Sequence, residues 1–485
     1  MSILALLYLI LDLFSLGFFF VGLFSSNATI LLLSLTSLTV SNALYSFKDI
    51  QKNILFFCFN GTFFIFLIGR MIVTTFFGYK EDLRGLNGLN FTDNNLIVIT
   101  LVALYLSLAS IRIGYILFKR IKLDFIKRRF IPDNKRKALE LSSLILFSIA
   151  IVFRLYIVIE MRQATVSEGY FETFSQFRSS LPRVIQTFAD MYDMFFFAFL
   201  ATLPSKKKTL IPTLLYLLEG TIAASSGRRS VLMLNVLIVA IYYVVRNNKE
   251  KNDMWFGIKE TVGSVIALPM LMGLMTFIGR MRAAHGVQRT GSIFDSIFEF
   301  FYSQGVSANL IGYTEMYKEQ IPNRFYTLGP IYEFVNESLI KPLKGIQPFF
   351  GQTAERAMNG HLLSQTLPYF IDQRAYLAGY GWGSSIVSEN YADGGFVGVI
   401  IGGLIYGLIL LVLAKIISDG SFLIMTFGLA MSRIILFAPR GAYLSFIVSS
   451  MSPRKIAAVV LVIMFGWLLN QIMFKEKRVM LKSEG

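Results

Sequence analysis

The sequence predicts an all-α polytopic membrane protein of about twelve transmembrane helices, on three observations. Of the 485 residues, 55% are hydrophobic and only 16% are charged, with a mean hydropathy of +0.60. A water-soluble domain cannot hide that much apolar surface. Apolar runs long enough to cross a hydrocarbon core of about 30 Å, roughly 20 residues each, recur along the chain. The basic residues gather in short stretches between those runs, as the positive-inside bias expects.

Taken in order, the runs lie at about 3–24, 28–47, 54–77, 95–118, 138–160, 184–203, 209–226, 230–245, 256–279, 396–414, 421–438 and 456–474. The stretch 119–137 carries nine basic and two acidic residues; 48–52, 205–208, 246–251 and 475–478 are basic too. With this count all five fall on one side, which is then cytoplasmic together with both termini. The other side receives 78–94, 161–183, the tight turn 225–229, the long segment 280–395, and 439–455. The chain divides accordingly into 1–279 with spans one to nine, a long extracytoplasmic loop 280–395, and 396–485 with the last three spans and a tail. The first run lacks a basic leader and a small-residue cleavage site, and reads as a retained helix.

The net charge of +16 is accounted for by the basic loops, so no nucleic-acid partner is implied. The lone Cys58 leaves no disulfide, zinc site or cysteine pair to consider. The long loop is near charge balance, with nine Lys and Arg against ten Asp and Glu. Ile293, Phe294, Ile297, Phe298 and Phe301 stand at helical spacing and predict an amphipathic helix lying near the membrane surface. Pro322, Pro330, Pro342, Pro348 and Pro368 cut the rest into short pieces. No internal repeat is visible.

The chain is organised around residues 376–410, a glycine-rich polar run that becomes an apolar helix without a break. Gly394, Gly398 and Gly402 recur every fourth residue, which places them on one helix face and lets a neighbouring helix approach. The run 379–383, GYGWG, reads as a glycine hinge that brings backbone N–H groups near a ligand.

Several arginines are placed for anion binding. Arg228 and Arg229 occupy a short turn at the outer ends of two helices, Arg280 and Arg282 follow span nine, Arg440 follows span eleven, and Arg433 lies within it. A guanidinium offers a planar fork of donors that matches phosphate oxygens and keeps its charge. Several together suit a diphosphate with no metal; the alternative is snorkelling arginines that mark helix ends. For Arg433, inside a span, a cavity or a partner is the stronger reading. Glu389, at the mouth of span ten, is a candidate general base or an arginine's salt partner; Glu219 and Glu160 favour the partner role. His285 and His361 are the only histidines, suited to proton transfer but more simply packed or exposed. Tyr380, Trp382 and Tyr391, with Asp393 beside them, offer ring faces and a carboxylate for sugars; interfacial anchoring is the competing role for the rings. No metal-ligand spacing appears in the long loop, and nothing calls for a cofactor.

With these residues in hand, the chain resembles the O-antigen polymerase (Wzy-type) family. The likeness rests on the run Gly381 to Tyr391 leading into the glycine-stepped helix Gly394 to Gly407, on the turn Ser226 to Arg229, and on the long outer loop before the closing spans. The resemblance implies a GT-C-like glycosyltransferase of the bacterial plasma membrane. It would join undecaprenyl-diphosphate-linked oligosaccharide repeat units of an O-antigen, capsule or exopolysaccharide at the outer face. It implies that Arg228, Arg229, Arg280 and Arg282 bind the diphosphate, and that a chain-length regulator, a flippase and membrane lipids are partners. The related ligases use a histidine in their large outer loop, for which His285 stands as the candidate. A lipid-linked oligosaccharide flippase, an O-antigen ligase and a peptidoglycan-type polymerase are the competing readings. A flippase would favour repeats and helices broken at mid-membrane.

Overall fold

The computed structural model describes residues 3–79, 93–121, 131–168, 177–247, 255, 257 and 293–483. Among them every regular element is a helix, with no strand. In chain order the helices used below are α1 (Ile3–Phe24), α2 (Ala28–Phe47), α3 (Ile50–Phe77), α4 (Asn94–Leu117), α5 (Asp133–Glu168), α6 (Arg183–Ala201), α7 (Lys206–Ser225), α8 (Arg229–Asn247), α9 (Ile293–Gln304), α10 (Asn309–Met316), α11 (Ile386–Asp419), α12 (Phe422–Ile435) and α13 (Pro453–Ser483). The chain forms two compact units, 1–121 with 289–414 and 435–448, and 122–288 with 415–434 and 449–485.

Nine helices among the described residues are long and apolar enough to cross a membrane, against the twelve the sequence predicts. The difference has physical causes. The run expected at 209–226 is α7, which opens on Lys206, Lys207 and Lys208 and buries Glu219. The run at 421–438 is α12, whose 14 residues extend only about 21 Å at 1.5 Å per residue. The run at 256–279, apart from Gly257, lies outside the described residues.

In the first unit, α1 and α2 form a close hairpin. Asn27 caps α2, its side chain accepting from the N–H groups of Thr29 and Ile30, which satisfies two of the donors a helix start leaves open. Ser15 and Ser34 each donate to the other's carbonyl, at 2.9 and 2.8 Å. Arg112 of α4 reaches across to Asp12 of α1 as a two-pronged fork, 2.6 and 2.8 Å, and donates to Ser41 and Asn42 of α2. A charge within an apolar bundle needs such a fully partnered setting.

The amphipathic helix expected from the spacing of Ile293 to Phe301 is α9, and its apolar face packs on α3. Phe301 packs on Gly69, and Phe298 on Phe77 of α3. Arg70 donates to the Tyr302 carbonyl at 3.0 Å with its guanidinium 4.0 Å above the Tyr302 ring. A π-helical turn at Phe64–Ile68 precedes this contact; such turns insert a residue and re-aim those that follow.

The glycine-stepped helix is not continuous. α11 breaks at Gly394 (φ −163°, ψ 25°) and Gly395 (φ 57°, ψ −143°). A Cβ at Gly402 would collide with the Asn390 side chain, and one at Gly398 with the Asn390 carbonyl. In a straight helix residues 390 and 402 would stand about 18 Å apart, so the segment 386–393 folds back along the helix that follows it. Gly394 therefore sits in the break rather than on the glycine face, and Gly398 and Gly402 admit the chain's own returning segment. Gly403 and Gly407 do receive a neighbouring helix, α4, at Ser110, Ile111 and Gly114.

In the second unit, α5 packs against α13, with Ser142 donating to the Val462 carbonyl at 2.8 Å and Gly466 lying against Leu139. The aromatic run of α6 is wholly buried, and Phe196 stacks on Tyr216 of α7 at 4.3 Å. Gly220 lets α7 and α8 approach, so that Asn235 donates to the Tyr216 carbonyl at 3.2 Å.

Candidate functional site

The second unit holds a cluster of charged side chains drawn from five helices and the α7–α8 turn. Arg154, in the middle of α5, pairs with Glu219 of α7 through Nε at 2.9 Å and with Asp190 through Nη1 at 2.9 Å. Glu219 is fully buried and also accepts from the Tyr192 hydroxyl at 2.9 Å. Asp190 lies at the joint between the two pieces of α6; its other oxygen accepts from Arg454 at 2.6 Å. Lys455 pairs with Asp193. Arg433 of α12 donates from Nε to Asn235 at 2.9 Å.

Arg228, in the turn between α7 and α8, is half-buried. Its guanidinium has no ion pair or hydrogen bond among the described residues, although Arg154, Glu219 and Arg433 all act on it electrostatically. Burial first, then the like charge of Arg154, push its pKa downward. Among the described residues, five cations (Arg154, Arg228, Arg433, Arg454 and Lys455) thus meet three carboxylates (Asp190, Asp193 and Glu219), leaving two positive charges in excess. Such an array attracts an anion carrying about two charges. Arg229 opens α8 beside Arg228.

The structure brings Arg228 and Arg433 together with Glu219, which has the partner role expected of it. Arg440 lies in the first unit, where it donates to Gln304 at 2.9 Å. Arg280, Arg282 and His285 lie outside the described residues. Glu160, expected as an arginine's partner, accepts instead from the hydroxyls of Ser179 and Ser180. Arg154, Asp190, Asp193, Arg454 and Lys455 were not singled out by the sequence. Arg154 carried the same signal as Arg433, a charge inside an apolar run. Asp190 and Asp193 sit in a run that reads as an uninterrupted span, and nothing local links them to residues some 260 positions later.

In the first unit, Glu389 is fully buried near the start of α11. Its Oε1 accepts from the Ser384 hydroxyl at 2.7 Å and its Oε2 from the Tyr443 N–H at 2.8 Å. Both donors are neutral. Tyr443 in turn donates to the Gly402 carbonyl at 2.6 Å, so Glu389 ties the segment after Arg440 to the folded-back part of α11. Asp393 accepts from the backbone N–H of Tyr326 (2.7 Å) and Thr327 (3.0 Å), and from the Thr327 hydroxyl. Trp382 lies in a core with Val306, Leu310, Tyr313, Leu363 and Leu367. Gly379 and Gly383 flank the hinge with φ of 95° and 80°, the left-handed backbone that glycine tolerates. Tyr380, between them, accepts at its carbonyl from Gln352 at 3.3 Å. His361 packs its ring 3.7 Å from that of Tyr332; burial lowers its pKa below the usual histidine range.

Tyr391 lines a cleft of about 760 Å³ together with Glu315, Lys318, Glu319, Gln320, Asn323 and Arg324. Its hydroxyl donates to Glu315 at 2.9 Å, and Lys318 pairs with the other Glu315 oxygen at 2.6 Å.

Long apolar helices that hold buried, partnered charges define a multi-pass helical membrane protein. Residues 7–475 match the family model described as O-antigen polysaccharide polymerase Wzy. The chain belongs to that family, and is a membrane polymerase of polysaccharide biosynthesis. No curated protein and no solved structure matches it.

Proposed function

We propose that this polymerase joins oligosaccharide repeat units carried on undecaprenyl diphosphate, at the outer face of the bacterial plasma membrane, by a GT-C-like glycosyl transfer. The observation that carries this reading is the excess, among the described residues, of two positive charges around Arg228, whose guanidinium has no hydrogen bond or ion pair among them. A diphosphate has the charge and the bidentate oxygens that Arg228 and Arg433 would bind. As the sugar leaves, negative charge builds on the diphosphate, and fixed arginines in a water-poor setting stabilise it there. Arg154 is given a positioning role: Glu219 and Asp190 already engage it, so its charge raises the local potential while the freer arginines meet the ligand. Arg229, Arg280 and Arg282 complete the proposed diphosphate set; Arg440, engaged with Gln304 in the first unit, is left out of it.

In the acceptor half of the reaction, the attacking hydroxyl must be oriented and lose a proton. Glu389, in the first unit, is a candidate for that task; His285 is the other candidate. With both its oxygens held by neutral donors, Glu389 also serves to position the 438–443 segment. Tyr380 and Tyr391 are assigned to sugar contacts, while Trp382, buried in the core, and Asp393, held by Tyr326 and Thr327, shape the wall behind them. A chain-length regulator and a flippase are the expected partners.

The test is the purified protein in nanodiscs with a lipid-linked repeat unit, its products resolved as a ladder on a gel. The wild type makes a ladder. Arg228→Ala reduces it by about a hundredfold, the loss of one strong transition-state contact, and Arg228→Lys recovers little because lysine lacks the planar fork. A wild-type protein that makes no ladder but moves the lipid-linked unit across a vesicle membrane overturns the polymerase reading in favour of a transporter.

A further inference from the structure

The cleft beside Tyr391 has the marks of a binding site separate in chemistry from the arginine cluster. Its volume of about 760 Å³ falls within the range of roughly 300–1,000 Å³ typical of small-molecule sites. It belongs wholly to the first unit, and its walls are fixed before any ligand arrives. Glu315 pins the Tyr391 hydroxyl and Lys318. Arg324 is spent on the carbonyls of Met358 and Gly360. Asp393 clamps the backbone of Tyr326 and Thr327. The break at Gly395, itself a lining residue, turns the chain so that Tyr391 faces this space.

Against these fixed walls stand three groups whose side chains make no hydrogen bond or ion pair among the described residues, namely Glu319, Gln320 and Asn323, all exposed. Each is planar and can engage two neighbouring groups at once. Two carboxylates and two cations line the cleft, so it carries no net charge and does not select an anion. Both cations are already engaged, which weakens any case for phosphate further. What remains is a set of carboxamide and carboxylate groups beside the ring of Tyr391 and the apolar Pro322, with Tyr326 and Ile321 packed in the core behind them. That combination suits a hydroxyl-rich ring with one apolar face.

We propose that this cleft binds the glycan of the lipid-linked repeat unit, independently of its diphosphate. The proposal rests on the polymerase reading for the identity of the ligand, and its test is separable from it. The probe is the repeat-unit oligosaccharide freed of lipid and phosphate, added to the full-length protein in nanodiscs and followed by saturation-transfer NMR and calorimetry. The wild type binds it. The double variant Glu319→Ala with Asn323→Ala weakens binding by about tenfold or more, as loss of two to three hydrogen bonds to hydroxyls would do. Binding of sugar-free undecaprenyl diphosphate is unchanged in that variant, and Arg228→Ala leaves the oligosaccharide affinity at the wild-type value. Because both residues are exposed and unbonded, the variant keeps the wild-type melting temperature. Equal oligosaccharide binding by wild type and variant, no binding by a wild type that makes a normal ladder, or displacement of the oligosaccharide by inorganic pyrophosphate would each overturn the proposal. A wild type that makes no ladder tells against the polymerase reading alone.

Discussion

The acids of the arginine cluster in the second unit and those of the folded-back segment in the first are held in opposite ways. In the second unit Glu219, Asp190 and Asp193 each pair with a cation, and cations remain in excess among the described residues. In the first unit Glu389 and Asp393 accept only from neutral N–H and O–H groups. A network with surplus charge is incomplete and draws in a counter-ion. A carboxylate satisfied by backbone amides is complete in itself and fixes the path of the chain. The acids around the arginines therefore set how much positive charge is offered, whereas those around the folded-back segment set where the chain lies.

The largest expected effect follows from breaking the first kind of network. Glu219→Gln leaves Arg154 buried with only Asp190 as counter-charge, and removing one partner of a buried ion pair costs about 3–5 kcal/mol. The expected outcome is a large drop in folded protein, measured as abundance and thermal melting in detergent. A variant as stable as the wild type would mean that water or lipid reaches Arg154, and would blur the contrast between the units.

A smaller loss is expected at the break in α11. Gly395 holds a φ of 57° with a ψ of −143°, a region that side chains occupy at a cost of about 1–3 kcal/mol. Gly395→Ala should lower the melting temperature and also weaken oligosaccharide binding, because the break sets the cleft wall. Gly17, which has open space around it, is the control position; its alanine variant should be neutral or stabilising. Equal effects at the two positions would remove the special role of the break.

The smallest effect sharpens the comparison most. Glu389→Gln can still accept from the Tyr443 N–H and donate to the Ser384 hydroxyl, so melting should stay close to that of the wild type. Glu389→Leu leaves the Tyr443 N–H without its acceptor, which costs about 1–3 kcal/mol. If Gln is stable and still makes a ladder, Glu389 is purely a positioning residue. If Gln is stable and makes none, the negative charge itself takes part in the reaction. A Gln variant as unstable as Leu would put Glu389 in the same class as Glu219.

The sequence alone determined the class of the protein. Hydropathy and run length dictate membrane-crossing helices, because an unpaired backbone cannot lie in hydrocarbon, and each of the nine long helices among the described residues overlaps a run read from the sequence. It also marked Arg228 and Arg433, since a charge in an apolar setting announces that something else must balance it. What balances it was a matter for the tertiary structure. Arg454 meets Asp190 across 264 positions and Tyr443 meets Glu389 across 54, and no local pattern records such pairings. The same holds for the glycines of α11. Their spacing announced a close approach, but only the fold decided that Asn390 of the returning chain fills the place at Gly398 and Gly402, while α4 fills the one at Gly403 and Gly407. A missing side chain leaves room, and which neighbour takes that room depends on contacts made elsewhere in the chain.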